Sequence, residues 1–190
     1  MTEIYLIRHA QAEGNPYRMM QGHWDGSVTA LGLKQIDALA ERFRTVHVDA
    51  LYASDLYRTR LTASAITRYH DLPMQLRPAL REINVGSWEA RFFGDVAYEQ
   101  PEAMHDFIFD PEKWQAPGAE TYAEVGQRAY AELIRIAEAN DGKSVVVGRH
   151  GVTAVDLRGE VAGQEQAGVA TVLDVVIPVL DEEEQLGESV

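Results

Sequence analysis

Short runs of β-branched and other apolar residues alternate along this chain with longer segments in which apolar residues recur every three or four positions, and this alternation limits the fold more than any other feature. Ile4 to Ile7 reads as a strand that ends in Arg8-His9 before a polar loop containing Gly14, Asn15 and Pro16. Thr29 is suited to cap a helix with the stripe Leu33, Ile36, Ala40 and Phe43, ending near Thr45. Asp49 to Ala53 is a second strand. Ser54 and Asp55 are good N-caps for a helix from Leu56 to about Tyr69, and Met74 to Leu76 is a third short strand. Residues 77–117 are irregular, rich in aromatic and acidic residues, with room for one or two short helices.

Beyond that segment, Thr121 and Glu124 form a capping box opening a helix with the stripe Tyr122, Val125, Ala129, Leu133 and Ile136, which Asn140-Asp141-Gly142 stops. Ser144 to Val147 is an apolar strand, Gly148 to Gly151 leads into a helix reaching about Ala162, and Thr171 to Ile177 is a last strand. Strands alternating with amphipathic helices predict a three-layer α/β/α fold whose mainly parallel central sheet is covered on both faces. A single catalytic domain is expected over residues 1–180, followed by an acidic, mobile tail over 181–190.

Composition removes several function classes. The chain has no cysteine, so disulfides, thiolate metal sites and cysteine nucleophiles are excluded. A net charge of −13 repels polyanions, and no nucleic-acid partner or anionic membrane surface is expected. The apolar stretch from Val169 to Leu180 is interrupted by Asp174 and Pro178 and is too short to span a bilayer. Glu3 and Arg8 flank the first apolar run where a secretory leader would need a basic start, so a cytoplasmic location is the expectation.

In parallel sheets, ligands bind beyond the carboxyl ends of the strands. Three of the expected strand ends carry chemistry: Arg8-His9, Ser54-Asp55 with Arg58, and Arg149-His150. Two imidazoles and two or more guanidiniums converging at one edge suit a dianionic phosphoryl group, because arginine presents a planar fork of donors to its oxygens. Each alone has an ordinary structural explanation; the combination is what points to phosphate chemistry.

Taken in order, these segments resemble the histidine phosphatase superfamily, which includes the cofactor-dependent phosphoglycerate mutases. Ile4 to Asn15 is similar to the opening motif, an apolar strand followed by Arg8-His9 and an asparagine. Gly22, Asp25, Thr29, Gly32 and Gln35 match the next segment, Ser54 to Ala63 the second motif, Arg81 to Glu89 the third, and Pro117 to Glu120 the stretch before the long helix, with His150-Gly151-Val152 supplying the second histidine. The resemblance runs over residues 1–163. It implies that His9 is the nucleophile, that Arg8, Arg58 and His150 bind the phosphoryl oxygens with Asn15 assisting, and that Glu82 gives a proton to the leaving alcohol. His150 counts both as catalytic and as phosphate-binding. No cofactor and no metal are implied; the expected partner is a small-molecule phosphomonoester, with room for a homodimer.

Two departures stand out: Ala10 replaces the family's usual glycine beside the nucleophile, and Arg149 occupies the position usually taken by a small residue, where strand alternation points it away from the site. Residues 89–118 contain only Arg91 and Lys113 as basic residues among many acids, which favours hydrolysis of a monophosphate over mutase-type transfer. Trp24, Trp88, Phe92, Phe93, Tyr98, Phe107 and Trp114 are candidates for a pocket mouth or for core packing. A fold relative that binds a phosphorylated ligand or a protein without turnover is the alternative from a different class, and the intact Glu82 argues against it.

Overall fold

The computed structural model describes residues 1–151 and 170–175. Five strands, β1 (Thr2–Arg8), β2 (Ala50–Ala53), β3 (Met74–Leu76), β4 (Ser144–Arg149) and β5 (Ala170–Val175), form one sheet in the order β3-β2-β4-β1-β5, and every neighbouring pair is parallel. The helix expected after Gly151, the end of the last strand toward Ile177 and the tail lie outside the described residues.

Because strand side chains alternate, β1, β2 and β4 each feed two cores. Ile7, Leu51 and Val146 pack with Ile36, Leu39 and Phe43 of α1 (Ala30–Phe43) and Ile66 of α2 (Tyr57–Thr67) on one face. Ile4, Leu6, Val145 and Val147 pack with Leu133 and Ile136 of α5 (Tyr122–Ala139) on the other. This is the expected three-layer arrangement. The irregular segment builds a third cluster around Trp88, Trp114, Met104 and Val125, using the short helices α3 (Phe93–Glu99) and α4 (Pro101–Phe109). Trp88 and Trp114 are buried with ring centroids 5.2 Å apart, and Phe107 lies 5.0 Å from Trp114, so these three are core. Phe92 and Tyr98 are exposed.

Two local readings are corrected. Leu33 is exposed, and the buried face of α1 begins instead with Gly32 and Gln35. A Cβ at Gly32 would lie 2.2 Å from the Gln11 carbonyl, and Gln35 Oε1 accepts the Gln11 N–H at 2.8 Å. The first turn of α1 therefore clamps the β1–α1 loop by polar contact, and apolar periodicity cannot report that. Neither Ser54 nor Asp55 is the N-cap of α2. Leu56 is, with no side-chain cap of its own. Asp25 caps from a distant loop, accepting the N–H groups of Tyr57 at 2.5 Å and Arg58 at 3.4 Å.

Candidate active site

The carboxyl ends of β2, β4 and β1 lie side by side, and the ladders continue past them: Ser54 N–H donates to Gly148 O and His9 N–H to Arg149 O, both at 3.1 Å. This register delivers His9 and His150 to the same edge, with ring centroids 5.3 Å apart. The strand-end convergence expected from the sequence is therefore present for His9, Arg58 and His150.

His9 Nδ1 lies 2.8 Å from the carbonyl oxygen of Ala10. A carbonyl only accepts, so Nδ1 carries the proton and the neutral ring keeps its lone pair on Nε2. Burial lowers the His9 pKa to about 3, helped by the charges of Arg58, Arg8 and Arg149 and opposed by the Ala10 carbonyl. His9 is thus neutral at pH 7. Ala10 is buried in the core against α1 and α2, and its N–H donates to Thr62 Oγ1 at 2.8 Å, so the extra methyl is packed away from the solvent edge.

His150 is fully buried, with Nε2 2.9 Å from both Thr59 Oγ1 and Ser54 Oγ. Its pKa falls well below the ordinary value, first through burial and then through Arg58 and His9. Arg58, in the first turn of α2, is also fully buried. Its Nη1 donates to Trp24 O at 2.9 Å, its Nη2 to Gly22 O at 2.9 Å and Gln21 O at 3.3 Å, and Asp25 Oδ1 stands 3.6 Å off. Its Nε–H is buried and has no partner among the described residues.

Besides Asp25, three carboxylates crowd this edge, and they are not equivalent. Asp55 is held in a two-point ion pair by Arg81, which lowers its pKa. Glu89 accepts the N–H groups of His23 at 2.8 Å, Trp24 at 2.7 Å and Val85 at 3.1 Å. Gly22 makes room for it, since a Cβ there would meet Glu89 Oε1 at 2.2 Å. Both are committed to structure. Glu82 is buried, accepts the N–H of Ile83 at 3.0 Å through Oε1 and that of Gly151 at 2.8 Å through Oε2. A Cβ added at Gly151 would lie 3.5 Å from both Glu82 Oε2 and Arg8 Nη2, so Arg8 and Glu82 flank one point next to His150.

Asn15 uses its side-chain oxygen to accept the Ala12 N–H at 2.9 Å, which fixes the turn after His9. Arg149 is buried, donates from Nη1 to His150 O at 3.0 Å and adds to the field that depresses His9. The partners of His150, the carbonyl cradle of Arg58 and the clamp made by Glu89 were not found from sequence. Among the described residues, no group of three or more His, Asp and Glu side chains is placed to hold a metal ion, and no helix is long and apolar enough to cross a membrane.

Residues 4–169 match the histidine phosphatase superfamily (branch 1). The chain is 32% identical over 152 residues to phosphoserine phosphatase 1 of Hydrogenobacter thermophilus, covering 80% of this chain and 72% of that protein. It is 31% identical, with 80% and 71% coverage, to the Yersinia pestis protein named "Probable phosphoglycerate mutase GpmB". The solved structure of YhfR from Bacillus stearothermophilus superposes with a TM-score of 0.82 at 28% identity, covering 86% of this chain and 81% of that one. With the strand-end histidines in place and the match running through both of them, the chain belongs to the histidine phosphatase superfamily.

Proposed function

We propose that this protein is a metal-independent phosphomonoesterase working through a phosphohistidine on His9. The observation that carries the reading is a pair of neutral imidazoles 5.3 Å apart beside the buried Arg58 guanidinium. His9 Nε2 attacks phosphorus and the bond to the ester oxygen breaks, while Glu82 delivers a proton to that oxygen. Arg8, Arg58 and His150, with Asn15 assisting, bind the phosphoryl oxygens and stabilise their charge. Water then attacks phospho-His9, its proton passes to Glu82, and inorganic phosphate leaves with neutral His9 restored.

Hydrolysis is favoured over mutase-type transfer because the two basic residues of the 89–118 segment are already engaged. Arg91 pairs with Glu99 at 2.7 Å and Lys113 with Asp110, which leaves neither for a substrate carboxylate or second phosphate.

Enzyme incubated with labelled phosphomonoester in EDTA and quenched in alkaline detergent should retain label as an acid-labile, base-stable phosphoramidate, and His9→Ala should retain none. Interconversion of 2- and 3-phosphoglycerate faster than phosphate release would overturn the hydrolase reading. Phosphate release from no compound of a broad panel would leave a non-catalytic binder.

A further inference from the structure

Arg128 sits near the middle of α5, where helical spacing alone suggests a solvated arginine in an ion pair worth little. The structure gives it a different setting. Its Nη1 donates to the carbonyls of Ala79 and Arg81, both at 2.8 Å, and its Nη2 to the carbonyl of Glu82 at 2.9 Å. The remaining face of the fork, Nε and Nη2, grips the Glu120 carboxylate at 2.8 Å on each oxygen. Glu120 in turn accepts the Asn84 N–H at 2.8 Å, and its own N–H donates to Asn84 O at 2.9 Å.

The backbone of residues 79–84 is thus held at Ala79, Arg81, Glu82 and Asn84 by one ion pair. His23 adds a ring nitrogen 3.1 Å from the Glu82 carbonyl. Burial alone would raise the Glu120 pKa, but Arg128 and the N–H bonded to it bring it below the ordinary value, so the pair stays ionised at neutral pH. Lysine could not reproduce this, since it offers a point charge in place of five donors in a plane.

We propose that Arg128, locked by Glu120, is a positioning residue that fixes the 79–84 backbone so that the Glu82 carboxyl stays aimed at the ester oxygen of the bound phosphomonoester. The proposal rests on the reading of Glu82 as the proton donor. Arg128 touches no reacting atom, and it acts on the proton donor through the Glu82 main chain. The reaction step served is the protonation of the leaving alcohol. An alkoxide cannot depart without it, whereas nitrophenolate can. Loss of Arg128 therefore carries the signature of a misplaced acid, with alkyl esters slowed and aryl esters spared.

The test is single-turnover phosphoenzyme formation from glycerol phosphate and from nitrophenyl phosphate, measured for the parent, Glu82→Gln, Arg128→Lys and the double variant. Arg128→Lys should slow the alkyl ester by about 10- to 100-fold, as expected for a displaced catalytic group, and the aryl ester by less than about threefold. In the double variant, Arg128→Lys should add no more than about twofold to the loss already caused by Glu82→Gln, because both remove one function. Equal losses on the two esters, additive losses, or no loss would overturn the positioning role while leaving Glu82 as the acid. Equal loss on both esters for Glu82→Gln itself would overturn the acid assignment, and this inference with it. If Arg128→Lys does not fold, Glu120→Gln loosens the same lock, and the same outcomes decide.

Discussion

Arg58 and Arg128 are each received by three main-chain carbonyls, yet they use their charge in opposite ways. Arg58 takes carbonyls from Gln21, Gly22 and Trp24, its nearest carboxylate stands off at 3.6 Å, and its buried Nε–H is unpartnered among the described residues. Arg128 takes carbonyls from Ala79, Arg81 and Glu82 and spends the rest of its fork on Glu120 at 2.8 Å. One cradle leaves a buried cation with field to spare, and that field depresses both histidines. The other neutralises the cation and keeps its rigidity. An arginine with an offset carboxylate suits an incoming anion, and one with a two-point carboxylate suits a brace.

The largest expected effect follows from that contrast. Arg58→Ala should lower the rate of phosphoenzyme formation by about 10² to 10³, the usual cost of losing a donor aimed at developing oxygen charge. The loss should be the same for glycerol phosphate and nitrophenyl phosphate, because phosphoryl charge does not depend on the leaving group. A loss on the alkyl ester alone would class Arg58 with Arg128 and break the comparison. Thermal unfolding of the variant separates this from the cost of three orphaned carbonyls.

The two arginines also differ in how far the sequence revealed them. Arg58 was legible because it follows a strand end within a motif whose other members, His9, Glu82 and His150, carry complementary chemistry. Arg128 was not, since its partners sit 8 residues away at Glu120 and 46 to 49 residues away at Glu82, Arg81 and Ala79. Asp25 as the cap of α2 was hidden for the same reason, its bond to Tyr57 spanning 32 positions. Periodicity recovered α5 and its capping box because both are local. It misjudged Leu33 in α1, where contact with the Gln11 loop decides which side faces inward. What local spacing encodes was readable, and what loops lend to one another was not.

A smaller effect sharpens the electrostatic half of the comparison. Among the charges that depress His150, Arg58 ranks ahead of Arg128, whose field Glu120 offsets. Arg58→Met should therefore raise the histidine pKa values more than Arg128→Met does, as read from ring carbon shifts in an NMR titration. The same shifts set acid stability. Both histidines titrate lower in the fold than the ordinary 6.5, so the unfolded chain binds more protons than the native one below that pH. The His9 contribution is complete above about 6.5 and is lost as the pH falls toward about 3, and that of His150 is lost in the same direction. Urea midpoints between pH 7 and 4 should fall less steeply in His150→Asn than in the parent, and parallel curves would show that burial of this ring is not what limits acid stability.

The smallest expected effect asks how local the Arg128 brace is. Thr121 caps α5 immediately after Glu120, accepting the Glu124 N–H at 3.2 Å while Glu124 returns a bond to the Thr121 N–H at 2.8 Å. Thr121→Ala removes the hydroxyl and should cost about 1 kcal/mol of stability, seen as a lower urea midpoint at unchanged slope. Glu120 does not depend on that hydroxyl. It is tied to the Asn84 main chain twice, its carboxylate accepting the Asn84 N–H and its own N–H donating to Asn84 O, and the first turn behind it is anchored by Val125, which is fully buried. The ratio of alkyl to aryl phosphoenzyme formation should accordingly stay within about twofold of the parent, since surface cap losses rarely travel beyond their own turn. A fall in that ratio resembling Arg128→Lys, in protein that is still fully folded, would mean that fraying at Thr121 reaches Glu120, so that the brace on Glu82 draws its rigidity from the helix cap as well as from the ion pair.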